Sequence, residues 1–214
     1  MIFDYGGVLR GDGRETWTAA DAKASLPPGT LWAAWHEIPE YQLSRAGAID
    51  GDAFRSAIRR ALTAAAGSAE RAEAALTTLE AALADLPPVD PTMRALIDQL
   101  RAAGRVKLGL LSNANRGSTG RLRARGVASL FDDVVVSADV GLAKPDPAIF
   151  RLASERLRVP PGACLMIDDQ LQHVEGARAA GLRAHLHEPA RLSELIARLE
   201  TEGALTVVDR QGLL

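Results

Sequence analysis

Residues 163–186 read ACLMIDDQLQHVEGARAAGLRAHL, and this stretch decides the fold. The apolar run 163–167 predicts a buried strand. Residues 174–180 predict a helix that Gly181 ends, and residues 182–186 predict a second strand. Two strands joined by one helix indicate a right-handed crossover between parallel strands. The stretch therefore predicts one unit of a parallel sheet with helices packed against it.

The same alternation of strand and helix extends through the second half of the chain. Strands are predicted over residues 106–111 and 134–137, and helices over residues 119–125, 147–158 and 190–199. This order predicts an α/β fold with a doubly wound parallel sheet, in which ligands bind beyond the carboxyl ends of the strands. Polar residues stand at such ends: Asp4, Ser112, Asp168 and Asp169. Their side chains are therefore expected to meet at one edge of the sheet.

The segment 14–86 has a different pattern, without any strand signal. It reads as helices interrupted at Pro27-Pro28-Gly29, at residues 47–51 and at Gly67, and Pro87-Pro88 closes it. Leucines recur at near-helical spacing in its alanine-rich second half, which predicts packing between helices. The chain is thus expected to leave the sheet after the first strand, form a helical module and return. Residues 1–13 and 87–214 then make up the core domain.

Composition excludes several classes of protein. The chain has 214 residues, of which 47% are apolar, enough for one domain of moderate size or a core with a small insertion. A net charge of −2 gives no electrostatic footprint for nucleic acid or anionic lipid. Cys164 is the one cysteine, so it excludes a disulfide and a cysteine zinc site and is expected to be buried. No signal peptide or membrane-length apolar run is present, which predicts a cytoplasmic protein.

The polar residues at the strand ends have the chemistry of phosphoryl transfer. Asp4 follows an apolar run and precedes a glycine turn, and a carboxylate there can act as a nucleophile. A divalent metal can hold that carboxylate beside the phosphate and neutralise its charge, and the acid pair Asp168-Asp169 lies at another strand end. Ser112 and Lys144 can hold the remaining phosphate oxygens. Each residue alone has an ordinary explanation as a turn, a helix cap or a solvated lysine, but their combination favours a site.

Four segments resemble the haloacid dehalogenase-like hydrolase superfamily. They are FDYGGVL (residues 3–9), LLSNA (110–114), VVVSADVGLAKPDPAIF (134–150) and LMIDDQLQHVEGARAAGL (165–182). They occur in the order of that family and with roughly its spacing, and the resemblance extends over the whole chain. The resemblance implies a Rossmann-like core over 1–13 and 87–214 with a small helical cap over 14–86. The adjacent acids of the last segment resemble the subgroup whose final motif carries two.

The resemblance also implies roles for individual residues. Asp4 would be the nucleophile and a metal ligand, the backbone carbonyl of Gly6 a second ligand and Asp169 a third. Asp168 would support this set without touching the metal. The metal implied is Mg²⁺, a hard cation that prefers oxygen ligands. The remaining residues would act on the phosphoryl group: Ser112 and the Asn113 backbone would hold its oxygens, and Lys144 would neutralise its charge.

Two positions depart from the family's pattern. Most phosphatases of the family carry an aspartate two residues after the nucleophile, as the acid that protonates the leaving group, and Gly6 stands there instead. His173 stands where the final motif usually has Asp or Asn; it is expected either to bond a metal-bound water or Lys144, or to face solvent. Only three residues precede Asp4, fewer than a central strand normally has, which suggests a trimmed start.

The cap holds the residues expected to select the substrate, although the pattern does not identify them. The run Trp32-Ala-Ala-Trp35-His36 fits core aromatics with a surface histidine. That reading is favoured, and the alternative is that one of the following residues faces the substrate: Trp35, His36, Glu37, Tyr41 or Arg45. In the core domain, Arg116 is a candidate phosphate or substrate contact, whereas His185 and His187 are expected to be structural.

Three functions compete on these residues. The leading hypothesis is a Mg²⁺-dependent phosphatase that acts on a small phosphorylated metabolite through an aspartyl-phosphate on Asp4. A metal-independent dehalogenase would also lack the second aspartate, but such enzymes usually have an aromatic residue at the position of Gly6, whereas Tyr5 lies one place earlier. The third hypothesis is a binding protein that has lost catalysis. Neither the physiological substrate nor the oligomeric state follows from the sequence.

Overall fold

A parallel five-stranded sheet forms the centre of the molecule. The computed structural model describes residues 1–11 and 13–206. The strands are β1 (Ile2–Phe3), β2 (Gly109–Ser112), β3 (Asp133–Val136), β4 (Leu165–Asp168) and β5 (Arg183–Leu186). Their order across the sheet is β3-β2-β1-β4-β5, so β1 lies in the middle and the order reverses beside it. This is the predicted α/β fold with a doubly wound parallel sheet.

Six helices cover the two faces of the sheet. They are α6 (Pro91–Ala103), α7 (Ser118–Ala124), α8 (Ser137–Val140), α9 (Pro147–Leu157), α10 (Leu171–Ala179) and α11 (Leu192–Thr201). Side chains alternate across the strands, so Phe3 packs in one apolar cluster and Ile2 in the other. Because both faces are covered, β2 and β4 are buried along their whole length, as parallel strands generally are.

A second group of helices forms the cap. It consists of α1 (Arg14–Lys23), α2 (Thr30–His36), α3 (Pro39–Arg45), α4 (Gly51–Ala66) and α5 (Ala69–Asp85). The cap has an apolar cluster of its own, centred on α4 and α5. Asp50 caps α4 by accepting from the Ala53 amide, and Ser68 caps α5 by accepting from the Arg71 amide. The domain boundaries remain a prediction, and the ranges given for the core include Asp12 and residues 207–214, which lie outside the described residues.

The predicted element boundaries differ from the observed ones by a few residues. The second strand begins at Gly109 rather than 106, where its pairing with β3 begins. Helix α10 begins at Leu171 rather than 174, because the polar residues of its first turn hide the helical pattern. Sequence analysis did not predict α6, although Asp90 and Pro91 are a cap and a first helical residue. Within the described residues, no helix combines the length and the apolar character needed to span a bilayer.

Candidate active site

Four loops bring their polar residues together at the carboxyl edge of the sheet. Asp4 follows β1, Ser112 ends β2, Lys144 lies in the loop between α8 and α9, and Asp168 ends β4. All four are at least nine-tenths buried, and Asp169 is half-buried beside them. Except for Asp168, they line one cavity of about 430 Å³ between the sheet edge and the cap. The structure thus confirms the expectation that these side chains meet.

Lys144 holds two carboxylates at once. Its Nζ lies 2.7 Å from Asp4 Oδ1 and 2.6 Å from Asp168 Oδ2. Burial lowers the pKa of Lys144, but the two neighbouring carboxylates outweigh burial and leave that pKa above its usual value. Lys144 therefore stays charged, and the charge is fixed directly beside Asp4.

Asp168 uses both carboxylate oxygens within the protein. Oδ2 accepts from Lys144, while Oδ1 lies 2.9 Å from His173 Nδ1 and accepts from the Gln170 amide at 3.0 Å. Burial raises the pKa of Asp168, but the bonds to His173 and Lys144 outweigh burial and leave it below its usual value. Asp168 is therefore an anion that orients Lys144. This geometry agrees with a supporting role rather than direct metal binding.

His173 is buried, so the expectation that it faces solvent is wrong. Its ring bonds Asp168 rather than Lys144, and the expected bond to a metal-bound water stays a prediction. Because α10 starts one turn earlier than predicted, His173 lies in its first turn and its ring reaches back to Asp168. The histidine joins the charged network through that carboxylate.

The loop that carries Lys144 is fixed from two sides. The Asn113 side chain donates to the Lys144 carbonyl at 2.8 Å and accepts from the Lys144 amide at 2.9 Å. On the other side, a Cβ at Gly176 would lie 2.2 Å from the Pro145 carbonyl oxygen, so only glycine permits this contact. Asp146 caps α9 by accepting from the Ala148 amide. These contacts fix the position of the Lys144 backbone relative to the site.

Asp169 lacks a partner that its surroundings call for. Its Oδ1 is buried and has no hydrogen-bond partner among the described residues. Burial, with the nearby charges of Asp4 and Asp168, raises its pKa to about 6. One oxygen each of Asp4, Asp168 and Asp169 lies within 4.8 Å of the others. An unpaired carboxylate oxygen in a cluster of acids is a suitable environment for a divalent cation.

Two glycines shape the turn after β1. Gly7 has φ +80°, and a Cβ there would lie 2.1 Å from Asp169 Oδ2, so the turn can pass the acid only with glycine at this position. Gly6 is exposed, and a Cβ at Gly6 would meet no atom within 4 Å. The position at which the family's pattern led us to expect an acid is therefore open space in this protein.

The cap closes the cavity with aromatic rings. Trp17, Trp32, Trp35, His36 and Tyr41 line it, and of the expected cap candidates only Glu37 does not. Burial, first of all, lowers the pKa of His36 to about 4, so this ring is neutral near pH 7. Sequence analysis did not single out Trp17, which lies in α1, far from the Trp32–Trp35 run. The available signal was that all tryptophans of the chain fall within the cap.

Arg116 joins the cap to the core and does not line the cavity. Its Nε and Nη2 donate to the Gly47 carbonyl at 3.1 and 2.9 Å, so the expected phosphate contact is not what the structure shows. Asn115 beside it accepts from Ser44 Oγ at 2.7 Å and from the Arg45 guanidinium. His185 and His187 lie away from the cavity, in agreement with the expected structural role.

Comparison with known proteins identifies the family. The haloacid dehalogenase-like hydrolase family matches residues 1–181, and the chain belongs to it. A phosphoserine phosphatase from Thermus thermophilus is 34% identical over 158 residues, which is 72% of this chain and 62% of the relative. The chain spans about half the length of the curated relatives it matches.

Solved structures share the fold. A HAD family enzyme from Bacteroides thetaiotaomicron, in complex with magnesium and inorganic phosphate, superposes with a TM-score of 0.65 and 22% identity over 91% of this chain and 96% of that one. A dehalogenase superposes with a TM-score of 0.63 and 22% identity, over 86% and 81% of the two chains. The fold is therefore common to both kinds of enzyme, and the choice between them depends on this chain's own residues.

Proposed function

We propose that the protein is a Mg²⁺-dependent phosphatase that acts on a small phosphorylated metabolite through an aspartyl-phosphate on Asp4. The observation that carries this proposal is the charged network: Lys144 lies between Asp4 and Asp168, and the unpartnered Asp169 lies beside them. The phosphatase name of the curated relative supports the same reaction. The proposed location of the protein, the cytoplasm, is a prediction from sequence.

The acidic residues fit a bound Mg²⁺. We assign Asp4, the Gly6 carbonyl and Asp169 as its ligands. Both carboxylate oxygens of Asp168 already accept hydrogen bonds, whereas Asp169 Oδ1 has no hydrogen-bond partner among the described residues. When bound, the ion would offset the negative charge of the phosphoryl group and hold it beside the nucleophile. A dehalogenase transfers no phosphoryl group and has no need of this acid cluster, so the cluster favours phosphate.

The residues of the chain divide the reaction between them. Lys144 lies beside Asp4 Oδ1, and a carboxylate oxygen of Asp4 would form a bond to phosphorus while the bond from phosphorus to the leaving oxygen breaks. Ser112, the Asn113 backbone and Lys144 would hold the phosphoryl oxygens. The leaving oxygen departs with the electron pair and takes a proton. Water then cleaves the phosphate from Asp4, which releases inorganic phosphate and restores the carboxylate.

The proton for the leaving group has no obvious source in the cavity. Gly6 carries no acid, and the Glu37 side chain does not line the cavity. His36 has a pKa of about 4, so near pH 7 it is neutral and cannot supply the proton as an imidazolium. Of the cap candidates that could act as a general acid, which are His36, Glu37 and Tyr41, Tyr41 alone remains. Leaving groups that need little protonation should therefore react best.

Hydrolysis of 4-nitrophenyl phosphate with and without Mg²⁺ tests the proposal, with Asp4→Asn as the matched variant. We expect phosphate release that requires Mg²⁺ and disappears in the variant. Halide release from a 2-haloacid without added metal would instead establish the dehalogenase. Absence of both reactions, with Mg²⁺ binding intact, would establish the binding protein.

A further inference from the structure

The tryptophan and tyrosine side chains of this chain are concentrated in one place, whereas the four phenylalanines do not line the cavity. Aromatic residues make up only 4% of the sequence, with 3 Trp and 2 Tyr. All five of these tryptophans and tyrosines line the single cavity above Asp4: Trp17, Trp32, Trp35, Tyr5 and Tyr41. Four of the five come from the cap, and only Tyr5 comes from the core. Packing inside the cap alone does not require that every such ring face the same cavity.

The cap rings fix one another in place. Trp17 packs edge-on against Trp32 and Trp35, with centroid distances of 5.3 and 5.6 Å. The His36 ring stacks on Trp32 at 3.8 Å and contacts Tyr41 at 5.1 Å. Such a wall is rigid before anything binds, so little side-chain freedom is lost when a ligand contacts it.

The rings are not wholly enclosed by the cap. Trp17 belongs to the apolar cluster of the cap, and Trp32, Trp35 and Tyr41 are only partly buried against that cluster, but all four rings also line the cavity. Leu31 and Phe54 belong to the same cluster and do not line the cavity. The exposed ring surface therefore faces the space that the leaving group of a substrate bound at Asp4 would occupy.

The wall does not suit a cationic leaving group. Aromatic cages bind alkylammonium ions through the ring faces, but arginines already lie on two of these rings. The Arg45 guanidinium carbon lies 4.5 Å from the Tyr41 centroid, and that of Arg14 lies 5.7 Å from the Trp32 centroid. Their charge would repel an ammonium group. The neutral His36 adds no negative charge that could compensate.

The open position at Gly6 independently favours an aromatic leaving group. Without a positioned acid, an alkoxide leaves slowly, whereas a phenolate leaves with little help from a proton. Resting on the phosphatase activity proposed above, we infer that the substrate is the phosphate ester of a phenol, whose ring packs against the cap wall. Phosphoserine and sugar 6-phosphates, which have no aromatic ring and an alkoxide leaving group, would satisfy neither the aromatic wall nor the missing acid.

Two non-cleavable phosphonates test the inference by binding alone. Benzylphosphonate and cyclohexylmethylphosphonate have nearly the same size and the same anionic group, but only the first has an aromatic face. Because every tryptophan lines the cavity, quenching of the intrinsic fluorescence reports occupancy directly. In the presence of Mg²⁺, we expect benzylphosphonate to bind about 2- to 10-fold more tightly than its saturated analogue. 2-Aminoethylphosphonate, which offers an ammonium group, should bind more weakly than both.

Variants of one ring separate this preference from general cap damage. Trp32→Leu should bring the two dissociation constants close to equality, whereas Trp32→Phe should keep most of the difference. Leu43→Ala, on the exposed surface of α3 and away from the cavity, should keep all of it. Thermal melting of each variant shows whether the cap is folded. Equal affinity for the two phosphonates in the wild type, or tightest binding of the aminoethyl compound, would overturn the inference.

Failure of the inference is distinguishable from failure of the proposed function. If no phosphate ester is hydrolysed but benzylphosphonate is still preferred, the aromatic site stands and the phosphatase does not. If 4-nitrophenyl phosphate is hydrolysed but the aromatic ligand has no advantage, the phosphatase stands and the substrate class is wrong. Faster hydrolysis of phosphoserine than of phenyl phosphate would also contradict the substrate class.

Discussion

The two walls of the cavity are built on opposite principles. The core wall is a network of buried charges in which Lys144 is shared by Asp4 and Asp168. The cap wall consists of rings, with His36 uncharged and the arginines lying on ring faces. Interactions with fixed charges act strongly at short range in a desolvated site, whereas ring contacts depend on shape. The core should therefore determine which bond is broken, and the cap should determine which substrate is bound.

The largest effect is expected when the nucleophile is changed, and this change tests whether the core and the cap act independently. Asp4→Asn keeps the shape of the side chain but removes a competent nucleophile and a good metal ligand. We expect kcat to fall by a factor on the order of 10⁶, as is typical for loss of a nucleophile. The tryptophan fluorescence and its quenching by benzylphosphonate should persist if the cap wall acts independently. Phosphatase activity above a few per cent of wild type would rule out the aspartyl-phosphate mechanism.

Gly6→Asp tests whether the core lacks only an acid. The space around Gly6 is open at the Cβ position, so a carboxylate can be accommodated there. A positioned general acid contributes about 10²- to 10⁴-fold, so hydrolysis of sugar 6-phosphates should accelerate by up to that factor. Acyl phosphates, sugar 1-phosphates and 4-nitrophenyl phosphate should change much less.

Gly6→Asn is the matched control for that variant, because it adds the same volume without an acid. Turnover of a panel of phosphate esters by the wild type can contradict the prediction. Brisk turnover of sugar 6-phosphates by the wild type would contradict the leaving-group argument and would implicate Tyr41 as an acid supplied by the cap.

The two adjacent acids should differ in their effect on metal binding. Asp169→Ala removes a proposed direct ligand, whereas Asp168→Ala removes a residue that acts through Lys144 and His173. We expect calorimetric Mg²⁺ titration to show the larger loss for Asp169→Ala, with a loss of about 10- to 100-fold for Asp168→Ala. A larger loss at Asp168 would reverse the ligand assignment.

The smallest expected effect is the pH dependence of metal-induced stabilisation. In the absence of metal, the pKa of Asp169 is raised to about 6, so the folded protein binds that proton more tightly than the unfolded chain does. Stability from this group is therefore gained as pH falls through about 6 towards the ordinary range of Asp, and is lost again as pH rises. Mg²⁺ competes with the proton, so it should raise Tm more at pH 7.5 than at pH 5.

Asp169→Asn is the control, because its amide does not titrate and its response to Mg²⁺ should vary little between the two pH values. Differential scanning calorimetry with and without Mg²⁺ makes the measurement. An equal increase in Tm at both pH values in the wild type would show that Asp169 is not the competing group.

The sequence was sufficient for most of the core wall, since Asp4, Ser112 and the acid pair lie at the ends of strands and are close in space once the sheet forms. Lys144 was predicted from its motif, because it lies in the loop between α8 and α9 rather than at a strand end. It was not sufficient for His173, because the first turn of α10 hides its helical pattern and the ring could reach Asp168 only after that turn formed. Arg116 lies near Ser112 in sequence but bonds the Gly47 carbonyl, a contact that only the docking of the cap determines. Trp17 is separated in sequence from the other rings, and only the packing of α1 on α5 and α2 brings it to the cavity.

The position of β1 has a consequence for how the molecule assembles. Ile2 pairs with Gly109 on one side and with Met166 on the other. The middle strand can therefore pair only with strands that lie far from it in the sequence. The cap helices follow one another in a single stretch and make mostly local contacts, which form quickly. We therefore expect the aromatic rings of the cap to pack together before the sheet that positions Asp4 has formed. Pulse-labelled hydrogen exchange during refolding should show protected amides in α4 and α5 before the Asp4 amide is protected by the Ile167 carbonyl.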